Sequence, residues 1–399
     1  MNILILDCHP FNDGRIRRHI SYLVNNSCSV FRIHINRYNE ELNEGVFSIF
    51  GEKSFRINVF PTLEEGKFRT ILFLFFSLFW TNMHFKKTRN FLKSMKISKK
   101  PLIIHVHDPY LLPFAIYIKN NTLKNSKIVY DRHEIHEKMD IFFGISIPHF
   151  FEKVSNKNIS GIVTILDNKS HKKTLENIFL TDNIIIVPNY PLQSNVDHKL
   201  VQNKINNFNK YSIINMIYIG SLDGKLDRDI ELILDLADEI LSNYKLVHFF
   251  LGGNCKDPKM LIKINNLVKK YPDNFTFGGL IPNEEVIKYT LDSHMGFFLL
   301  KENSDYWVTC SPNKIFEYLI CGVIPIVKAD LDNKEELSSG IIFFNRYSNK
   351  AEIYASIVGL LENPEHLKNL MTYAYQKGLS HSWESVAVRY LEFYDFLLS

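Results

Sequence analysis

Little in this chain points to a structural metal, a cross-linked exported scaffold or a membrane span. Cysteine is scarce, with five in 399 residues at positions 8, 28, 255, 310 and 321 and no Cys-x2-Cys pair. That spacing excludes a zinc ribbon, and an odd count does not make a disulfide framework. Free thiols in a reducing cytoplasm are therefore expected. Long apolar runs are missing as well. The longest, Ile71 to Trp80, has ten residues and is broken by Ser77, against the roughly 20 that a spanning helix needs. No export signal is read at the start, because Met1-Asn2 leads straight into Ile3-Leu4-Ile5-Leu6, a run expected to be the first strand. Net charge is also small: 47 Lys plus Arg against 43 Asp plus Glu leave +4. No global field draws in nucleic acid, and any anion must be met by local clusters.

What is present is an ordinary globular composition, 46% hydrophobic and 23% charged, which excludes a disordered chain. At roughly 100–200 residues per domain, two domains are expected. Short β-branched runs alternate with longer helical patterns, the mark of βαβ units and parallel sheets. Strands are expected at 2–6, 29–35, 102–106, 127–130, 161–165 and 184–187, and helices at 14–25, 67–82, 85–95, 110–119, 148–157 and 168–178. Then Val187-Pro188-Asn189-Tyr190-Pro191 and a polar tract to about 210 interrupt the pattern. Two prolines so close stop any regular element, so the domain boundary is placed at 190/191 and the tract is read as a joint. Strands resume at 214–219, 246–251, 274–277, 295–300, 323–327 and 341–344. Helices resume at 228–242, 258–270, 283–291, 312–321, 350–361, 365–378 and 383–398. In such α/β units the functional residues belong in loops at the carboxyl ends of the strands.

Three kinds of segment carry candidate chemistry. Ile219-Gly220-Ser221-Leu222-Asp223-Gly224-Lys225-Leu226-Asp227-Arg228 and the Gly252-Gly253-Asn254 turn are strand-to-helix turns whose backbone N–H groups suit phosphate, with Lys225 and Arg228 adding charge. Asp13-Gly14-Arg15-Ile16-Arg17-Arg18 is a third turn of that kind. In Ser311-Pro312-Asn313-Lys314-Ile315-Phe316-Glu317-Tyr318, Ser311 is a good N-cap and Pro312 suits the first helical position. A lysine in the first turn opposes the helix dipole unless an anion lies in front of it. Glu317, one turn on in an apolar stretch, needs a partner. Amides of this helix start and Lys314 suit a diphosphate, with Glu317 accepting from ribose hydroxyls. The third kind is a strand ending in polar residues, as in Ile104-His105-Val106-His107-Asp108-Pro109 and Val129-Tyr130-Asp131-Arg132-His133-Glu134. Alternation turns His105 and His107 to one side. Metal binding by His105, His107 and His133 has no spacing rule behind it, and none is expected.

Taken in order, these segments resemble glycosyltransferase family 4. Ser311-Pro312-Asn313-Lys314-Ile315-Phe316-Glu317-Tyr318 with Gly322 and Pro325 is similar to that family's donor-binding helix. Asp13-Gly14-Arg15-Ile16, His105 to Pro109, Tyr130 to Glu134, Val187-Pro188-Asn189 and Ser382-Trp383-Glu384 follow the family's usual order. The resemblance runs the length of the chain. It implies an α/β GT-B fold, two Rossmann-like domains facing each other across a cleft. Residues 1–190 would bind the acceptor and 191–382 the nucleotide sugar, with a C-terminal helix at 383–399 packing back on the first domain. It implies retaining transfer from a nucleoside-diphosphate sugar to a glycan or lipid-linked acceptor, in bacterial-type surface polysaccharide synthesis, without metal or other cofactor. His107 would lie against the reacting sugar, and Arg228 and Lys314 would clamp the pyrophosphate. Glu317 would hold the ribose, and Gly278-Gly279-Leu280-Ile281-Pro282 would face the base. Gly14, Arg15, Gly220, Ser221, Gly253, Ile281, Ser311 and Asn313 complete the donor set, and Asp108, Asp131 and His133 the acceptor side.

Two departures stand out. Where the family often has a glutamate eight positions before Glu317 there is Thr309, with Asp305 or Glu302 as substitutes, and Ser221 stands where an arginine is common. A nucleotide-sugar epimerase on the same scaffold and a two-lobed small-ligand receptor are the alternatives. A membrane face is also readable: Lys67 to Trp80 is apolar apart from its basic start, and residues 85–100 hold seven Lys or Arg and no acid. Such a pair suits the anionic cytoplasmic leaflet, or equally a buried helix beside a solvated one.

Overall fold

The computed structural model describes residues 1–11, 13–36, 43–58, 82–94, 102–132, 141–142, 145–165, 169–223, 227–282, 285–304, 312–331 and 334–399. The chain divides into two compact units, Met1–Pro188 with Ala387–Ser399, and Asn189–Val386.

The first unit is built on an eight-stranded sheet. Its strands are β1 (Asn2–Asp7), β2 (Ser29–Asn36), β3 (Gly45–Phe47), β4 (Lys53–Asn58), β5 (Leu102–Val106), β6 (Lys127–Arg132), β9 (Ile159–Thr164) and β10 (Ile184–Ile186). Between β6 and β9 in the chain, β7 (Ile141–Phe142) and β8 (Ile145–Ser146) form a separate antiparallel pair. The spatial order is β10-β9-β6-β5-β1-β2-β4-β3, parallel except where β3 meets β4. β1, Ile3 to Leu6, is wholly buried, as a strand covered on both faces must be. The chain order reverses at β1, which pairs with both β2 and β5, so the loops after β1 and β5 meet at a switch point.

The second unit has six parallel strands: β11 (Ile214–Ile219), β12 (Val247–Gly252), β13 (Phe275–Gly279), β14 (Met295–Leu299), β15 (Ile324–Lys328) and β16 (Ile342–Phe344). Their order is β13-β12-β11-β14-β15-β16. This is the doubly wound Rossmann order, with its switch point between β11 and β14.

Three sequence expectations change. β4 was not foreseen, because its inward positions are polar: Ser54 and Arg56 are buried there. The tract after Pro191 is not all joint. His198–Asn207 is a helix, capped by the Asp197 carboxylate accepting from Lys199 and Leu200 N–H, with Val201 and Ile205 buried on one face. The helix expected at 312 starts at Asn313 with Pro312 in the N-cap position, and Ser311 and Thr309 lie outside the described residues. Of the membrane-face segments, 67–80 is also outside them. Residues 85–94 belong to helix Asn82–Ser94, whose Phe91 stacks on Phe55 at 5.2 Å while Lys86, Arg89 and Lys93 are exposed. No helix among the described residues is long and apolar enough to cross a membrane.

Candidate functional site

In the second unit the carboxyl ends of β11, β12 and β13 are joined backbone to backbone. Gly220 N donates to Gly252 O at 2.9 Å, Gly253 N to Gly279 O at 2.6 Å and Leu222 N to Asn254 O at 3.1 Å. Glycine is needed at 253, which has φ +149 and whose Cβ would fall 1.8 Å from Gly220 O. Ile281 lies against this surface, its Cγ1 2.8 Å from where a Cβ of Gly252 would be. Ser221 is exposed, and its carbonyl accepts from Tyr218 OH at 3.1 Å. Gly224, Lys225 and Leu226 lie outside the described residues.

Helix Asn313–Ile320 brings Lys314 over the Gly220 turn. A Cβ on Gly220 would meet Lys314 Cε at 2.8 Å and Nζ at 2.9 Å, so only glycine lets the ammonium lie this close to the strand end. Burial lowers the Lys314 pKa; Glu317, one turn along the helix, raises it, and Arg228 lowers it. Among the described residues no side chain caps this helix start. Arg228 does not open a helix as expected. The helix begins at Ile230, capped by the Asp229 carboxylate accepting from Leu232 N–H, and Arg228 instead forms a bridge with Leu300 just past β14. Its guanidinium lies 4.4 Å from the centre of the Phe298 ring. Asp227 accepts from Ser304 Oγ at 2.9 Å and from Lys301 N through its carbonyl. Lys314, Arg228, Glu317 and the Gly220 turn thus gather around the β11–β14 switch point. Asn313 is exposed at the helix start. Tyr218, buried beneath, has its ring centre 6.0 Å from Lys314 Nζ; reading by motif passed over it.

The first unit's candidates are arranged differently. Asp13 caps helix Gly14–Asn25, its Oδ1 accepting from Arg15 N at 2.9 Å and Ile16 N at 3.0 Å. Two N–H groups of this helix start, where a phosphate was expected beside Gly14 and Arg15, thus already meet a carboxylate of the chain. The Arg15 side chain turns inward: Nε and Nη2 donate to Asp131 at 3.2 and 3.0 Å, and Nη1 to Val187 O at 3.0 Å. Asp131 also accepts from Tyr390 OH at 3.1 Å and has His105 Nε2 and His107 Nδ1 each 3.4 Å away. His107 Nε2 is 3.1 Å from His19 Nδ1, while Tyr394 OH bridges His19 Nε2 at 2.9 Å and His105 Nδ1 at 2.7 Å. His107 is 1% exposed, with Nε2 toward His19 and Nδ1 toward Asp131. Asp108 caps the turn at Pro109–Leu111 through Tyr110 N at 2.8 Å. His133 lies outside the described residues.

Ligand atoms of His19, His105 and His107 lie within 4.8 Å of one another, the one grouping among the described residues with that property. The hydrogen bonds above already use these rings. Burial, then His105 and Arg15, hold His19 well below its ordinary pKa, against the pull of Asp131. A cluster of rings around one arginine–carboxylate pair accounts for the chemistry of this donor set. His19, Tyr390 and Tyr394 were not read from sequence, although Arg15/His19 and Tyr390/Tyr394 are i,i+4 pairs, the spacing that puts two side chains on one helix face.

No protein-family model matches the chain, and no curated protein matches it. Solved structures do. The chain is similar to a sucrose-phosphate synthase from Thermosynechococcus elongatus at TM-score 0.70 and 14% identity, covering 100% of this chain and 99% of that one. A glycosyltransferase from Rickettsia africae gives 0.66 and 13%, covering 100% and 98%. Anabaena HepE in complex with UDP gives 0.61 and 10%, covering 98% and 99%. At such identities the likeness is one of fold. The chain has the GT-B architecture, two Rossmann-like α/β domains.

Proposed function

We propose that the protein is a glycosyltransferase that takes a sugar from a nucleoside diphosphate, with its donor site on the second unit. The observation that carries the reading is Lys314, an ammonium kept at a cost in hydration beside a second cation, Arg228, over the glycine turn of β11. Two cations beside a glycine turn at a switch point suit a diphosphate. Departure of a diphosphate is the step such cations stabilise most, since negative charge grows there in the transition state. The helix start adds N–H donors aimed at the same place, and Glu317 accepts from the ribose. Ile281 and the Gly278-Gly279 turn take the base. HepE, a structure of the same architecture, is named as a complex with UDP, which fits this class of donor.

The acceptor is a glycan or lipid-linked chain, transferred to with retention and without metal, as in surface polysaccharide assembly. Exposed Lys86, Arg89 and Lys93 on helix Asn82–Ser94 offer a basic face to the cytoplasmic leaflet. His107 and Arg15 are held by Asp131 and its neighbours in the first unit. Calorimetric titration with UDP and GDP tests the donor site: one of them binds the wild type, and Lys314→Ala weakens it by about tenfold or more while the fold is kept. Undiminished binding by Lys314→Ala and Glu317→Ala would remove the assignment.

A further inference from the structure

We infer that Lys204 is a positioning residue for this donor site, fixing the base of helix Asn313–Ile320 against the start of β14; the inference rests on the donor reading above. Lys204 lies in helix His198–Asn207. Its ammonium is enclosed and donates to two backbone carbonyls, Ser293 O at 2.5 Å and Cys321 O at 2.9 Å. Cys321 is the C-cap of the site helix, and Ser293 stands two residues ahead of β14. One side chain thus ties the end of the helix to the beginning of the strand.

A methionine would fill the same space. The ammonium does more, because it satisfies two buried acceptors and sits where the helix dipole is negative. Its neighbours leave it no slack: a Cβ on Gly322 would be 3.0 Å from Val201 Cγ1 and 3.1 Å from Ile205 Cδ1, the residues that flank Lys204 on its helix.

The consequence reaches the site because the helix and β14 carry its two cations. Lys314 is on the helix, and Arg228 lies on Phe298 of β14 and bridges to Leu300. The two elements touch closely. A Cβ on Gly296 would be 2.6 Å from the Tyr318 ring, and Tyr318 OH donates to Phe297 O at 3.4 Å. Tyr318 sets the middle of the contact and Lys204 its base. The helix has eight residues, about 12 Å at 1.5 Å per residue, so a tilt at Cys321 reaches Lys314 almost whole. Burial brings the Lys204 pKa down to about 8, with Cys321 and Asp292 raising it; His294 is the other titratable group facing it. It is charged at neutral pH and loses that charge in mild alkali.

The test is titration of the full chain with UDP and GDP, comparing wild type, K204M, K204R and K314A at about pH 7 and about pH 9. K204M should fold, by circular dichroism, and bind the nucleotide about fivefold or more weakly, while K204R, which keeps charge and donors, should recover most of the affinity. Wild-type affinity should drop between the two pH values by more than that of K204M or K204R. K204M affinity within about twofold of wild type would overturn the inference and leave the donor site standing. Absence of binding by wild type, or normal binding by K314A, would remove the donor reading and this inference together. Should K204M fail to fold, the pH series decides: a wild-type drop no larger than that of K204R overturns it.

Discussion

Two helix starts, one in each unit, stand beside a strand end at a switch point, and they are finished in opposite ways. At Gly14 the protein supplies its own anion: Asp13 caps the free N–H groups, and the arginine of that first turn is buried in a two-point bond with Asp131. At Asn313 no side chain among the described residues caps the helix, and the first-turn lysine lies against a glycine turn with Arg228 as a neighbouring like charge. Charge matched inside a unit builds structure. Two cations gathered over a glycine turn at a strand end suit a ligand instead. Removing charge should therefore cost stability in the first unit and binding in the second.

The largest effect should come from Asp131→Ala. It leaves the Arg15 guanidinium buried without a counter-charge and takes the shared acceptor from Tyr390. Breaking such a pair costs about 3–5 kcal/mol, read as a lower midpoint in urea. Lys314→Ala is the contrasting change: with its pKa lowered by burial, its loss should leave the urea midpoint unchanged or slightly raised. A fall as large as that of Asp131→Ala would erase the distinction between the two helix starts.

The second break is in the backbone platform. Gly253→Ala puts a Cβ against Gly220 O at φ +149, where neither a rotamer change nor a side-chain shift offers relief. Strain and overpacking together should cost about 2–4 kcal/mol, and nucleotide binding should fail with it, because the β11 turn must move. Gly279→Ala is the control. It also has positive φ, but nothing lies within 4 Å of its added Cβ, so it should cost less by the same denaturation measurement.

How far these features could be read in advance follows from how local each one is. The βαβ alternation, the six strands of the second unit and the helix carrying Lys314 and Glu317 are written in short apolar runs and turn residues, so sequence places them within a residue or two. β4 escapes because its buried Arg56 is accommodated by distant rings, Phe11 at 4.3 Å and Phe47 at 4.5 Å, and a buried arginine looks like a surface one until those partners are known. The helix at 198–207 escapes because its two buried residues, Val201 and Ile205, are too few to show a period among so many polar ones. Lys204 follows from no motif, since its partners are carbonyls 89 and 117 positions away. His107 and Arg15 were legible as chemistry but not in direction: what turns them inward is Asp131 on β6, together with Tyr390 from the far end of the chain.

The smallest expected effect concerns pH, and it sharpens the comparison because both units bury histidines without charge. In the second unit His294 accepts from Asn215 N at 3.0 Å through Nδ1, and burial, with Lys204 nearby, lowers its pKa to about 3. In the unfolded chain it returns to about 6.5. The unfolded state therefore binds the extra proton first as pH falls below 6.5, and the folded state loses stability over the window down to about 3. At pH 5 the separation is about 1.5 units, or about 2 kcal/mol. His294→Gln offers a neutral acceptor in its place and should flatten that part of the stability–pH curve, measured as urea midpoints between about pH 7 and about pH 4.5. His19, held neutral by burial and by His105, should contribute a fall of the same sign in the first unit. The His294→Gln variant keeps that fall, so a curve wholly flat in this variant would place all the acid sensitivity in the second unit. The Asp131 cluster would then owe nothing to His19 being uncharged.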